Sequence, residues 1–194
     1  MLTNDPLETA QPLDRPCHYS RAAIAFHWLT FLLVVVVGIL GLLHDDWPKR
    51  TQSFWINIHA LLGILLWIVL VARLAWRLLH EPPPLQEDLS RFSRRLSSPV
   101  HMLLYALLFV IPLLGVVTFV YHGRIFDLGV FQIDPGIKKD RDVFHPTEEV
   151  HGYLAYALFA LASLHAAAAL WQHFYLRNGV LRRMWPARSR LGEG

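Results

Sequence analysis

The chain has 194 residues, of which 54% are hydrophobic and only 17% charged, with a formal net charge of +3 at neutral pH. Such an apolar composition excludes an ordinary water-soluble domain, in which about a quarter of the residues are charged. The single cysteine, Cys17, excludes an intrachain disulfide and a thiolate metal cluster.

Four apolar windows are long enough to cross the hydrocarbon core of a bilayer, which takes about 20 residues. They predict transmembrane helices at about residues 22–43, 54–79, 99–121 and 150–176. The polar, proline-containing residues 1–18 predict a disordered tail rather than a signal peptide. The composition of residues 178–194 predicts a basic C-terminal tail. The fold class we expect is therefore an all-α membrane protein, with an antiparallel four-helix bundle over residues 19–177.

The first predicted helix begins after Ser20, which has the side chain of a good N-cap. His27 lies about 9 Å into this helix by helical rise, and so inside the membrane. Gly38 and Gly41 follow further along, where small residues allow close approach of a neighbouring helix.

The second predicted helix carries His59 about two turns from its start and Arg73 14 residues later. On an α-helix this spacing places both side chains near one face. Charged side chains at such depth are costly and mark functional candidates, so Arg73 is singled out. Arg77, one turn further, is expected to reach the headgroups instead.

The third predicted helix begins at Ser98-Pro99, a capping hydroxyl followed by a proline at the first helical position. His101 lies near its beginning, and Pro112 lies in its middle and should kink it. Since its interior holds no histidine, we expect this helix to be a wall of the bundle rather than a donor of ligands.

The fourth predicted helix follows a long loop, residues 122–149, in which Asp134-Pro135-Gly136 predicts a turn. Thr147, Glu148 and Glu149 suit the start of a helix. His151 and His165 then lie 14 residues apart, about 21 Å along the axis and on nearly the same face. The face between them is mostly small, which leaves room for a flat group.

The distribution of Lys and Arg predicts the orientation in the membrane. Of the 18 basic residues, 12 fall on the side of the termini and of the loop after helix two. By the positive-inside rule both termini are cytoplasmic, which predicts a multi-pass membrane protein. The opposite, outer side sums to −2. The basic character thus reflects topology and does not indicate nucleic-acid binding.

Four intramembrane histidines fall at two depths, with one histidine of helix four at each. His27 and His165 lie in the inner half, and His59 and His151 in the outer half. Paired imidazoles can fill both axial positions of a haem iron, which favours electron transfer over oxygen binding. We therefore predict two b-type haems, with Arg73 as the partner of an inner haem propionate.

A bare metal site and a covalently attached haem are the alternatives to two haems held by histidines alone. A bare zinc or iron site would bring carboxylates or cysteines into the helix interiors, and these interiors hold none, so haem fits better. Cys17-His18 lacks the second cysteine of a covalent haem attachment.

His101 and His173 lie at inner helix ends, where either could contact a haem propionate or a quinone. The others, expected to face solvent, are His18, His44, His80, His122 and His145.

Short motifs around these histidines resemble the prokaryotic cytochrome b561 family over about residues 19–190. The motifs are Tyr19-Ser20-Arg21, Phe26-His27-Trp28, Asn57-Ile58-His59, Val71-Ala72-Arg73-Leu74, Tyr105-Ala106-Leu107-Leu108, Leu164-His165-Ala166-Ala167-Ala168-Ala169-Leu170 with His173, and Leu181-Arg182-Arg183-Met184. The spacings from His27 to His59 and from His151 to His165 also resemble those of the family.

The resemblance implies two haems with the pairing given above and an oxidoreductase that takes electrons from superoxide and passes them to ubiquinone. An outer patch of Lys49, Arg50 and Arg124 could attract the anion, although the outer side as a whole is negative. The alternative within the family is a haem subunit that links a separate periplasmic redox partner, such as a hydrogenase or a cytochrome c, to quinone.

Overall fold

A computed structural model describes residues 19–81, 83, 91–179 and 181–185, with the backbone alone at residues 91, 92 and 94. Over these residues the chain forms four long α-helices and one small hairpin. The elements are α1 (Arg21–Leu42), α2 (Lys49–Leu79), α3 (Arg91–Tyr121), β1 (Phe126–Asp127), β2 (Gln132–Ile133) and α4 (Arg141–Phe174). The tail predicted over residues 1–18, with Cys17 and His18, lies outside the described residues.

All four helices are long and apolar enough to cross a membrane. This confirms the predicted fold class of a four-helix membrane bundle. α1 contacts α2, α2 contacts α3 and α3 contacts α4, so that chain neighbours pack together along the bundle. A small core of buried aliphatic side chains joins the helices, including Leu33, Leu66, Leu70 and Leu158. Larger apolar side chains on the outside, such as Ile68 at 55% exposure, are left for lipid.

Three helices begin earlier than the apolar windows predicted, because their first turns are polar and extend beyond the hydrocarbon layer. α2 begins at Lys49 rather than near residue 54, and α4 at Arg141 rather than near 150. α3 begins at Arg91, so Pro99 lies inside it and the predicted start at Ser98 is wrong. The start of α4 is instead capped by Asp140, whose side chain accepts a hydrogen bond from the Asp142 amide at 3.0 Å.

The N-cap predicted for α1 is confirmed, since the Ser20 hydroxyl accepts a hydrogen bond from the Ala23 amide at 3.2 Å. The C-terminal segment returns to the same end of the bundle. There a 3₁₀ turn, Arg182–Met184, is held to α1 by the Trp28 indole, which donates to the Met184 carbonyl at 2.7 Å. We call this the terminal end of the bundle.

The opposite end carries the α1–α2 connection and the β1–β2 hairpin, and we call it the hairpin end. The two strands pair antiparallel, with Phe126 opposite Ile133. Phe126 is buried and stacks on Phe119 of α3, with ring centroids 4.4 Å apart. The turn predicted at Asp134-Pro135-Gly136 is present: Gly136 has φ +67 and its amide donates to the Asp134 carboxylate.

Candidate functional site

Each of the four helices carries two functional positions 14 residues apart, which places them about 21 Å apart along the helix axis. The pairs are His27 and Gly41 in α1, His59 and Arg73 in α2, His101 and Gly115 in α3, and His151 and His165 in α4. Antiparallel neighbours bring these positions together as two layers. We name them the hairpin-end layer (Gly41, His59, Gly115, His151) and the terminal-end layer (His27, Arg73, His101, His165).

In the hairpin-end layer two imidazoles face each other across the bundle. The ring centroids of His59 and His151 lie 6.1 Å apart with an interplanar angle of 77°. Each Nδ1 lies 2.9 Å from a backbone carbonyl, that of Val37 for His59 and that of Ile111 for His151. A carbonyl can only accept, so each Nδ1 carries its proton and donates it. Each Nε2 therefore keeps a free lone pair, as a metal ligand requires.

A glycine lies against each of these imidazoles. A Cβ on Gly41 would come within 3.0 Å of the Cε1 atom of His59, and a Cβ on Gly115 within 3.0 Å of the Cε1 atom of His151. Each glycine also lies one helical turn after the carbonyl that orients the same ring. Gly41 was predicted only as a site of close helix approach, and Gly115 was not predicted at all. A signal was present, since each glycine follows a histidine of its own helix by 14 residues.

Gly38, one turn before Gly41, makes room for a different side chain. A Cβ on Gly38 would overlap the ring of Phe159 of α4, with 1.8 Å to its Cζ atom. The prediction that both glycines of α1 allow close helix approach is thus refined. Gly38 admits an aromatic ring, whereas Gly41 admits an imidazole.

A cavity of about 340 Å³ surrounds the hairpin-end layer. This volume lies in the range of small-molecule sites. The walls are mainly aliphatic side chains and glycines. The part of the lining nearest the hairpin end, which we call the mouth, includes the polar side chains of His44, Asp45, His122, Arg124 and Glu148. Of the predicted patch of Lys49, Arg50 and Arg124, one member, Arg124, lines this cavity.

Two groups at this mouth have shifted pKa values. Burial lowers the pKa of the His122 imidazole, and the nearby charges of Arg124 and Lys139 lower it further. Burial also lowers the pKa of the Arg124 guanidinium, while Glu148 acts in the opposite direction. His122 is half-buried against the Phe144 ring, so the prediction that it faces solvent is only partly right.

The hairpin-end layer fits a haem held from both faces. A metal–imidazole bond of about 2 Å on either side of one iron separates the two ring centroids by about 6 Å, close to the spacing of His59 and His151. Within the described parts of the chain, no three or more His, Cys, Asp or Glu side chains form a group that could hold a metal ion. Two imidazoles alone need a macrocycle to complete the coordination of iron.

The terminal-end layer brings together all three of its histidines and Arg73. The Arg73 guanidinium donates to Nδ1 of His27 at 3.1 Å, and its Cζ lies 5.5 Å from the ring centre of Tyr105. His27 is also within electrostatic range of His165 and His101. Since Nδ1 of His27 accepts here, its Nε2 carries the proton. Ligation through Nε2 therefore requires Arg73 to turn to another acceptor.

His101 was predicted to lie at an inner helix end, and it does lie in the terminal-end layer, but ten residues into α3 rather than near its start. Its ring lies against His165, with centroids 5.2 Å apart and 78° between the planes. Its Nδ1 donates to the Ser97 carbonyl, which leaves Nε2 with a free lone pair. The prediction that α3 forms a wall and donates no ligand stays a prediction, but this wall contributes residues to both layers. The helix supplies His101 to one layer, and Gly115 and the Ile111 carbonyl to the other.

Among the remaining histidines, His44 lies next to the hairpin-end layer, with its Nδ1 2.9 Å from the Gly41 carbonyl oxygen. His44, His80 and His145 are exposed, as predicted. His173 lies beyond the terminal-end layer in α4, and its Nδ1 is buried without a hydrogen-bond partner among the described residues.

Comparison with known proteins relates residues 18–187 to a family model described as prokaryotic cytochrome b561. Two relatives from Escherichia coli K12, cytochrome b561 homolog 1 and homolog 2, are 25% and 29% identical to this chain. The matches cover 88% of it and 98% and 93% of the relatives. A probable superoxide oxidase CybB from Yersinia pestis is 26% identical, over 87% of this chain and 96% of its own length.

Proposed function

Since the chain belongs to the prokaryotic cytochrome b561 family, whose members are membrane electron-transfer proteins that bind haem b, we propose that it is a di-haem superoxide:ubiquinone oxidoreductase. In this proposal each layer would hold one haem, and the two haems would supply the one-electron chemistry that links the hairpin end to the terminal end. Two superoxide ions each lose one electron and become dioxygen. One ubiquinone gains both electrons and two protons and becomes ubiquinol.

The observation that carries the proposal is the opposed pair of His59 and His151. A haem with two imidazole ligands supplies one-electron chemistry with no open position for oxygen. The protein's part is to fix both rings before the group binds. It does so through the carbonyls of Val37 and Ile111, which hold each ring in the tautomer that leaves Nε2 free.

For the terminal-end layer we propose that His27 and His165 would hold the haem iron and that Arg73 would pair with a haem propionate. A buried carboxylate needs a cation, and Arg73 is the intramembrane cation of this layer. Because His101 contacts His165, these two histidines form an alternative ligand pair for the same haem. The proposal therefore predicts that His27→Ala removes this haem while His101→Ala leaves it in place.

We further propose that both termini are cytoplasmic and the hairpin end is periplasmic, in a bacterial inner membrane. The support is the excess of Lys and Arg on the terminal side. In this orientation superoxide meets the protein outside the cytoplasm. The proposal then places the site of quinone reduction at the terminal end.

Arg124 is the residue we propose to guide the anion. It is a half-buried cation on the cavity that contains the hairpin-end pair, and a cation within a low-dielectric cleft raises the local concentration of an anion. The name of the Yersinia pestis relative also supports superoxide as the donor.

The alternative function is a haem subunit that accepts electrons from a separate periplasmic redox protein. The observation that favours it is the net charge of −2 on the segments of the hairpin side, which repels an anion at long range. Such a subunit would bind both haems in the same way and would respond to its partner instead of to superoxide.

The experiment uses the purified protein in liposomes that contain ubiquinone, with superoxide generated outside. The proposed function predicts rapid haem reduction and ubiquinol formation without any added protein. Arg124→Gln should slow haem reduction about tenfold, since the loss of a guiding charge changes association rates by such factors. Lys138→Gln is the matched control, because Lys138 is an exposed cation of the same loop that does not line the cavity.

Full haem content with no response to superoxide would overturn the proposed activity and leave the partner-dependent subunit. Equal slowing by Arg124→Gln and Lys138→Gln would contradict the specific role of Arg124. A purified protein with fewer than two haems per chain would contradict the di-haem proposal itself.

A further inference from the structure

The β1–β2 hairpin exposes an apolar tip. Val130 is 89% exposed and Phe131 56% exposed, and Leu128 and Ile133 beside them are also exposed. Clusters of exposed apolar side chains on one short element mark contact with a partner or a membrane. We propose that this tip is a membrane anchor, which inserts into the lipid headgroup and acyl-chain boundary beside α2.

The hairpin is fixed to α2 by two hydrogen bonds from one side chain. The Asn57 amide nitrogen donates to the Asp127 carbonyl at 2.8 Å, and the Asp127 amide donates to the Asn57 side-chain oxygen at 3.0 Å. On its other side the hairpin is held by the buried ring of Phe126 on Phe119. These contacts set the depth of the hairpin along α2.

That depth is the boundary between lipid and water. Asn57 lies two residues before His59, which touches Gly41, and α1 ends at Leu42, one residue later. The aromatic side chains of the same region, Trp47, Phe54 and Trp55, form a contacting cluster. Tryptophan and other aromatic residues concentrate where a membrane protein crosses the interface. The hairpin is therefore attached at interfacial depth.

The hairpin is attached to α2 at Asn57, three residues from Phe54, whose side chain is 59% exposed. Several polar atoms of the hairpin are hydrogen-bonded within it, which favours insertion into a less polar layer. The Asp127 carboxylate accepts from the Gly129 amide at 2.8 Å and from the Gln132 side chain at 3.3 Å. The Leu128 amide donates to the Phe131 carbonyl. Lipid is thus favoured over a soluble protein as the occupant.

The test measures the depth of a spin label in the full-length protein with its haems. Cys17→Ser removes the single native cysteine, and Val130→Cys supplies the labelling site. The labelled protein is placed in vesicles of phosphatidylethanolamine and phosphatidylglycerol. Collisions of the nitroxide with oxygen, which concentrates in lipid, are compared with collisions with a water-soluble nickel chelate.

Two labelled references bracket the result. Ile68→Cys on the exposed surface of α2 reports lipid, and Lys138→Cys in the same loop reports water. The proposal predicts an oxygen-to-nickel ratio at Val130 several-fold above that at Lys138 and approaching that at Ile68. A ratio equal to that at Lys138 would overturn it. Protection of Val130 only after addition of a soluble redox protein would also overturn it, in favour of a protein-docking surface.

A second variant tests the attachment. Asn57→Ala in the Val130→Cys background removes both hydrogen bonds to the hairpin and should lower the ratio towards that at Lys138. An unchanged ratio would contradict the role of Asn57 in setting the depth. Haem content and helical circular dichroism, unchanged in the labelled variants, show that the bundle itself is intact. Superoxide activity is not the readout, so this proposal can fail while the proposed function stands.

Discussion

The two histidine layers share one spacing but differ in what holds their imidazoles. In the hairpin-end layer, backbone carbonyls orient His59 and His151, and a glycine lies against each ring. In the terminal-end layer the charged side chain of Arg73 donates a hydrogen bond to Nδ1 of His27, and a third histidine, His101, lies beside His165. Helical spacing thus sets where an imidazole lies, and its hydrogen-bond partner sets whether Nε2 is ready to bind a metal.

The largest expected effect is the separate loss of each haem. His59→Ala should remove the hairpin-end haem and His27→Ala the terminal-end haem, because each leaves one axial position without a ligand. Haem extraction should show the content falling from about two per chain to about one in both variants. His145→Ala, at an exposed position of α4, is the control and should keep both.

The same measurement separates the two ligand pairs of the terminal-end layer. His165→Ala should behave like His27→Ala. Loss of a haem in His101→Ala with none lost in His27→Ala would reverse the pairing and show that α3 carries a ligand.

A smaller effect is expected where a methyl group displaces a ligand without removing it. Gly41→Ala should push the His59 ring away from its carbonyl, since the new Cβ would lie 3.0 Å from Cε1. We expect the affinity of the hairpin-end haem to fall about tenfold, the low end of the effect of disturbing a ligand's support. Gly115→Ala should act on His151 in the same way. Haem titration and the low-temperature electron paramagnetic resonance spectrum, which reports axial ring orientation, measure the change.

Gly38→Ala is the matched variant, one turn away on α1. Its Cβ would meet the Phe159 ring and no imidazole. It should lower the thermal unfolding midpoint while the resonance spectrum stays as in the parent protein. If both variants changed only stability, the glycine at position 41 would be a packing residue and not a support of the ligand.

Arg73→Gln should affect the terminal-end layer alone. Loss of a nearby positive charge favours the oxidised haem, so its potential should fall by about 60 mV, which for one electron equals about 1.4 kcal/mol. A redox titration that resolves both haems measures the shift, and Arg77→Gln serves as the control. A shift in the potential of the hairpin-end haem instead would contradict the assignment of Arg73 to the terminal-end haem.

The smallest effect is a pH dependence at the mouth of the hairpin-end cavity. The folded-state pKa of His122 lies below its ordinary value of 6.5. Below pH 6.5 the unfolded chain therefore binds more protons than the folded chain, and stability falls as the pH drops. His122→Gln should lose less stability than the parent protein between pH 7.5 and 5. Thermal unfolding in detergent checks this, and equal losses would contradict the shift.

Apolar length and histidine depth were sufficient to predict the bundle and the hairpin-end pair of His59 and His151. The helix starts at Lys49, Arg91 and Arg141 were missed because polar turns outside a bilayer carry no hydropathy signal. The contact of His101 with His165 was missed because it depends on the side-chain packing of α3 against α4. That packing cannot be calculated from spacing within one helix.

The shared spacing of 14 residues also limits how this chain can change in length. One residue inserted between the layers would turn everything beyond it by about 100° and advance it by 1.5 Å. In α4 it would swing either His151 or His165 out of the bundle interior, whatever residue was added. Insertions and deletions are therefore admissible beyond the two layers, in the polar turns and connections, whereas the stretches between them admit substitutions alone.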